Sequence, residues 1–244
     1  MKPIETKEYP TGVVELHLDT DPVDPREYDN LAVLCCKHRR YTLGDEQMDD
    51  PDEKLLELVR DIHPDFPRYD DVEWPSGMWK DKVQQILAEH YAILPLYLYD
   101  HSGISMSTGA FSCPWDSGQV GFAYMTLEKA REIGGCEGKG WLDPVEFERT
   151  DRFPLRTIKR VVTGTVRERA EQAIRDEVET YDAYLRGNVY GFIAYAVDPI
   201  TEEREEIDSC WGFYSSEEAF AQGAESLPKE DVNREFDLAE AAAA

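Results

Sequence analysis

Apolar positions along the chain fall into short alternating runs and into longer stripes spaced three and four apart. Residues 13–18 alternate as a strand does, and residues 31–36 form a compact apolar run suited to a strand buried on both faces. "DPDEKLLELVRDIH" predicts a helix: Asp50 caps it, Pro51 suits its first turn, Glu53 completes a capping box, and Leu55, Leu56, Val59 and Ile62 supply the stripe. The prolines of "HPDFPRYDDVEWP" stop it. After Ser76 a second helix follows, with Trp79, Val83, Ile86 and Leu87 on one face. Strand-like runs then occupy 93–99, 104–107 and 119–125, separated by the Gly and Asp signals of turns.

A short helix over 126–133 leads into the Gly-rich and then charged stretch 134–160. The clearest helix spans 165–186, with Thr165 and Glu168 as a capping box, Val166, Ala170, Ile174, Val178, Tyr181 and Leu185 as its stripe, and Gly187 as its stop. Strands over 189–197 and 206–213 flank "DPITEER", and Ser215 with Glu218 caps a last helix. Strands and helices come in blocks without regular βα alternation. That order predicts an α+β fold, a mainly antiparallel sheet packed by several helices in a single domain over 1–225. Charged excursions are expected near 49–75 and 134–160, and an acidic, Ala-rich tail, helical or frayed, over 226–244.

Charge changes the picture more than length does. The chain carries 51 acids against 26 Lys and Arg, a net charge of -25. Residues 76–125 hold only 4 of those acids, so the middle is nearly neutral. Neutralising phosphates takes a field of Lys and Arg, so direct nucleic-acid binding is not expected. The acidity fits adaptation to high salt, where screening shortens repulsion to a few ångströms, or an acidic mimic of DNA. Residues 91–99, interrupted by Pro95, fall short of the roughly 20 that a membrane helix needs. "MKPIETKEYPTG" lacks the apolar core of a secretory signal, so the expected location is the cytoplasm. Cys35, Cys36, Cys113, Cys136 and Cys210 make no CxxC pair, and their odd number suits a reducing compartment. The histidines show no HxxxH spacing, and neither GxGxxG nor GxxxxGK[ST] occurs. No metal and no cofactor is expected.

Candidate chemistry concentrates in "LYDHSGISMSTGAFSCPWDSGQVG". Cys113 is the candidate nucleophile, His101 the base, and Asp116 or Asp100 the group that orients the imidazole. Chain path decides the matter. If 104–112 were one extended strand, His101 and Cys113 would lie roughly 25 Å or more apart, at about 3.3 Å per residue. Gly109 and Pro114 permit another path, with the strand ending near Ser107 and the loop folding back. The competing reading is two turns and a small buried thiol. His38, Arg39 and Arg40, in "CCKHRRYTLGDE", are candidates for holding an anion, or else they pair with local acids such as Asp45 and Glu46. On the long helix, Glu177 with Tyr181 and Glu179 with Asp182 share faces. Paired carboxylates can hold a divalent metal, but in so acidic a chain a solvated face is the expected role. The aromatics, Trp115 and Trp211 among them, are expected in the core and at its edge, or else lining a shallow binding groove, as their exposure decides.

"NLAVLCCKHRRYTLGDE", "LPLYLYDHSG", "FSCPWDSGQVGFAYMT", "VETYDAYLRGNVYGF" and "EIDSCWGFY", taken in order, resemble a family of small proteins encoded by phages, plasmids and other mobile elements. The resemblance brings no catalytic residue onto these positions. It implies an accessory protein that binds a macromolecular partner, most simply a protein, in host takeover or counter-defence. A small cysteine-dependent hydrolase or nuclease-like enzyme is the alternative, and a DNA mimic the third reading. Salt adaptation predicts that the melting temperature climbs as KCl is raised to multimolar concentration. A chain equally stable without salt would contradict it.

Overall fold

The computed structural model describes residues 2–67, 78–133, 165–198 and 201–228. The excursion expected over 134–160, Cys136 and the tail beyond residue 228 lie outside the described residues. The fold is α+β, with two mostly antiparallel sheets and five helices among the described residues. The chain gathers into two compact units: residues 1–25 with 183–244, and residues 26–182.

In the first unit, β1 (Glu5–Tyr9) and β2 (Gly12–Leu18) form a hairpin, and β8 (Tyr190–Val197) pairs with β2 and β9 (Arg204–Phe213), giving the order β1-β2-β8-β9. Helix α5 (Ser216–Glu225) starts where Ser215 accepts a hydrogen bond from the Glu218 amide. Its Ala219 and Phe220 pack with Val14, Leu16, Phe192 and Ala194. Leu227 belongs to the same cluster, so the chain is held in the core as far as that residue.

The second unit is built on a five-stranded sheet. Its strands are β3 (Val33–Cys36), the two-residue β4 (Glu46–Gln47), β5 (Tyr91–Asp100), β6 (Ile104–Ser107) and β7 (Ser117–Thr126), in the order β4-β3-β7-β5-β6. Only β3 and β4 run parallel. Helices α1 (Pro51–Ile62) and α2 (Met78–His90) bury Leu58, Val59, Val83, Ile86 and Leu87 with Cys35, Tyr91 and Phe122 of the sheet. The charged stretch from residue 49, expected as an excursion, therefore begins with a core helix. Helix α3 (Leu127–Ile133) follows β7 directly, and Gly187, at φ +71°, ends the long helix α4 (Val166–Leu185).

Helix α4 buries Ala170, Ile174, Val178 and Tyr181 and is hydrogen-bonded to the sheet at several points. The Tyr181 hydroxyl accepts from the Gly44 amide at 3.0 Å, and Asp182 accepts from the Ser105 hydroxyl and the Met106 amide at 2.7 and 2.8 Å. Glu177 accepts from the Leu31 amide at 2.7 Å and from Arg26 at 2.9 Å. Arg26 also reaches Asp45, which in turn accepts from the Leu34 amide at 2.6 Å. These contacts correct the expectation of a solvated face. Glu177, Tyr181 and Asp182 turn inward because backbone donors and the Arg26 guanidinium wait for them there. Burial works against the Arg26 charge, but the bonds to Asp45 and Glu177 outweigh it and hold the guanidinium above its ordinary value. Replacing Glu177 by Ala would leave Arg26 to Asp45 and take the acceptor from the Leu31 and Ala32 amides, so a loss of about 2 kcal/mol in denaturant-unfolding stability is expected.

Candidate functional site

The chain takes the folded-back path. Strand β6 ends at Ser107, where the Gly109 amide donates to the Ser107 hydroxyl, and Phe111 then packs against Tyr99 of β5 with ring centroids 5.7 Å apart. The loop crosses the end of β5, and the Asp100 amide donates to the Asp116 carbonyl at 2.8 Å. The Ser117 hydroxyl closes the loop on the Cys113 carbonyl at 2.5 Å. On the other side of β5, Ser102 at φ 59° and Gly103 at φ 154° make the tight turn that carries His101.

His101, Cys113 and Asp116 thus meet, but in an order that does not suit a thiol nucleophile. Oδ2 of Asp116 lies 3.4 Å from Nδ1 of His101 and accepts from the Cys113 thiol at 3.7 Å. The carboxylate stands between sulfur and imidazole. A base must reach the thiol proton itself, and here that proton points to the carboxylate and not to the imidazole. The His101 side chain is 62% exposed. The three residues tie the turn at His101 to the loop at Cys113, whose side chain is part-buried.

Asp100 faces the other way. Its carboxylate takes Arg40 as an ion pair and the Tyr41 hydroxyl at 3.3 Å. His38 stacks on Tyr41, with centroids 5.0 Å apart and planes 6° from parallel, while its Nδ1 accepts from the Arg40 and Tyr41 amides at 3.4 and 3.3 Å. The His38 imidazole thereby pegs a backbone turn. Lys37 donates through its ammonium to the Asp49 carbonyl. Arg39 is exposed, and its guanidinium has no partner among the described residues.

Residues 37–40 and the carboxylates Asp100 and Asp116, with Trp115, line one open cleft of about 580 Å³. A bulge helps to shape it: β7 inserts Val120 between the partners of Leu96 and Tyr97, and its carbonyl accepts from the Lys37 amide at 2.7 Å. Trp115, left by its type to the core, the core edge or a groove, is 91% exposed. Its neighbours Pro114, Asp116, Ser117 and Gly118 are turn formers, and that local chemistry was the available signal that its side chain would not alternate into a sheet. Among the described residues, no group of three His, Cys, Asp or Glu side chains could hold a metal ion, and no helix is long and apolar enough to cross a membrane. No protein-family model, curated protein or solved structure matches the chain.

Burial, with the Glu46 carboxylate adding to it, pushes the Cys35 thiol up to about 12. Burial and then Asp45 do the same for Cys36. Burial raises Tyr124 to about 12 as well and Tyr91 in the same direction. Stabilisation from keeping both thiols neutral is fully present below their ordinary 9.0 and is lost as pH rises toward about 12, because the unfolded chain releases these protons first. Unfolding midpoints should fall across that window, and less steeply in a Cys35→Ala/Cys36→Ala variant. In native protein a thiol reagent should modify Cys113 and Cys210 while sparing Cys35 and Cys36 until denaturant is added.

Proposed function

We propose that the chain is a binding protein rather than a thiol-dependent enzyme: an accessory protein of a virus or mobile element, acting in the host cytoplasm on a protein partner. The observation that carries this reading is Trp115, 91% exposed and lining the same cleft as Arg39, whose guanidinium is unpartnered among the described residues. Tryptophan and arginine are the residue types that most often dominate interface energies, because both bring a large rigid surface and a directed polar group. Holding Trp115 in water has no benefit for folding. Pro114 and the Ser117 hydroxyl bond to the Cys113 carbonyl fix the backbone around it, so little ordering remains to be done on binding. The fitting partner offers a pocket for the indole and a carboxylate for Arg39.

Electrostatics supports a protein in preference to nucleic acid. A net charge of -25 repels a polyanion at long range, and the basic wall is only four residues long, with Lys37 and Arg40 already engaged. Such a surface admits one acidic group, not a phosphate chain. The test is affinity capture from the native host with the wild-type chain as bait, followed by calorimetry on the captured partner. Trp115→Ala should weaken binding by about 2 kcal/mol, roughly thirtyfold, and Arg39→Glu should weaken it further. Cys113→Ser should leave it unchanged. Affinity that survives both cleft substitutions, or a turnover that depends on Cys113, would overturn the reading.

A further inference from the structure

The sheet of the larger unit leaves a lane open beside the cleft. Strand β7 runs for ten residues, but β3 pairs only with its residues 121–124, and the Lys37 amide makes the last bond in that lane, to the Val120 carbonyl at 2.7 Å. His38 then accepts from the Arg40 and Tyr41 amides and turns the chain out of the lane. On the side of β5 the register Tyr97–Gln119, Leu98–Gly118 and Tyr99–Ser117 is unbroken, and the Asp100 amide continues it onto the Asp116 carbonyl. That bond fixes the alternation. Asp116 and Gly118 turn their peptide groups to β5, while Ser117 and Gln119 turn theirs into the lane that β3 has left. Among the described residues nothing pairs with those groups there.

Gly118 lies between the two. A glycine inside a strand weakens it and marks a bulge, a bend or the close approach of a ligand or another backbone. Other strand glycines have such reasons within the fold: a Cβ at Gly12 or Gly121 would run into the carbonyl of Tyr195 or Cys35, one at Gly191 would run into the Trp211 indole, and Gly212 has a φ of +88°. Gly118 has no positive φ, and a Cβ there would meet nothing within 4 Å. Nothing among the described residues accounts for this glycine, and the close approach of a ligand does. The other sheet shows what fits such a gap, since Gly191 is covered by the indole of its cross-strand partner Trp211. Ser117, Gly118 and Gln119 carry no charge, and residues 37–40, with the unpaired Arg39 guanidinium, line the same cleft. The bulge at Val120 lies at the far end of the stretch, where Lys37 already pairs. We propose that the open lane receives an extended segment of the protein partner, its main chain bonded to Ser117 and Gln119, a bulky apolar side chain over Gly118 and a carboxylate on Arg39. This rests on the reading of the cleft as a partner site and names the form in which the partner enters it.

Linear dodecapeptides displayed on phage and selected against the full chain are the probe. The selected sequences should share a bulky apolar residue and an Asp or Glu. With the synthetic peptide bound, the Ser117 and Gln119 amides should exchange with solvent roughly tenfold more slowly, while the Gly118 amide, already turned to β5, keeps its rate. A scan of single N-methyl groups along the peptide should find a pair of positions, two residues apart, that each raise the Kd roughly tenfold. Gly118→Val should raise it as much without lowering the melting temperature, because the side chain has room and suits a strand. No selected peptide, unchanged exchange at both amides, or a scan without that pair would each overturn the inference. On the captured partner the two readings separate: affinity lost in Trp115→Ala but kept in Gly118→Val sinks the extended segment and leaves the cleft, whereas affinity kept in both sinks the two together.

Discussion

A single guanidinium organises the larger unit. Arg26, whose side chain is only 5% exposed, lies between Asp45 and Glu177 and also donates to the Ala32 carbonyl. Each acid it neutralises also receives a backbone donor, the Leu31 amide on Glu177 and the Leu34 amide on Asp45. Helix α4, the start of β3 and the turn before β4 are thereby fixed to one another. Charged groups of this kind are costly to bury and costlier to leave unpaired, so they define one arrangement. The loop between β3 and β4 leaves from this anchored frame, which is why residues 37–40 arrive beside the end of β5 with a set direction.

At that end the chain uses most of its polar groups on itself. Asp100 holds Arg40 and Tyr41, Asp116 holds the Cys113 thiol and His101, and His38 supports the turn that carries Arg39. These are the residue types of an active site used as fasteners. What remains for a partner is an indole and a guanidinium facing solvent beside a shallow cleft. Rigid support beneath a few anchors suits a recognition surface, where ordering the anchors beforehand lowers the cost of binding.

The elements with strong local signals were legible in the sequence. The capping residues Asp50 and Ser215 and the stop at Gly187 are where their chemistry predicts, and the stripe of α4 is buried at Ala170, Ile174, Val178 and Tyr181. Strand β1 was hidden because ETKEY is an exposed edge with no apolar alternation, and β4 because two residues carry no period. The inward role of Glu177 was also hidden. Its partner Arg26 is 151 residues away, and no helix-face rule encodes a contact at that range. The meeting of His101 with Asp116 depended on Gly109 and Pro114 bending the loop back, a path the sequence allows without requiring it. Trp115 was open between core and groove because its size argues for burial while its turn-forming neighbours argue, more weakly, against it.

Recognition at the cleft requires that Trp115 be an anchor held ready rather than an exposed accident. Hydroxyl-radical footprinting of the chain, alone and in complex with the captured partner, measures this residue directly. Strong oxidation of Trp115 in the free protein and clear protection in the complex, together with protection of the peptide carrying Arg39, is the predicted result. Oxidation of Trp115 that is the same in both states would contradict it.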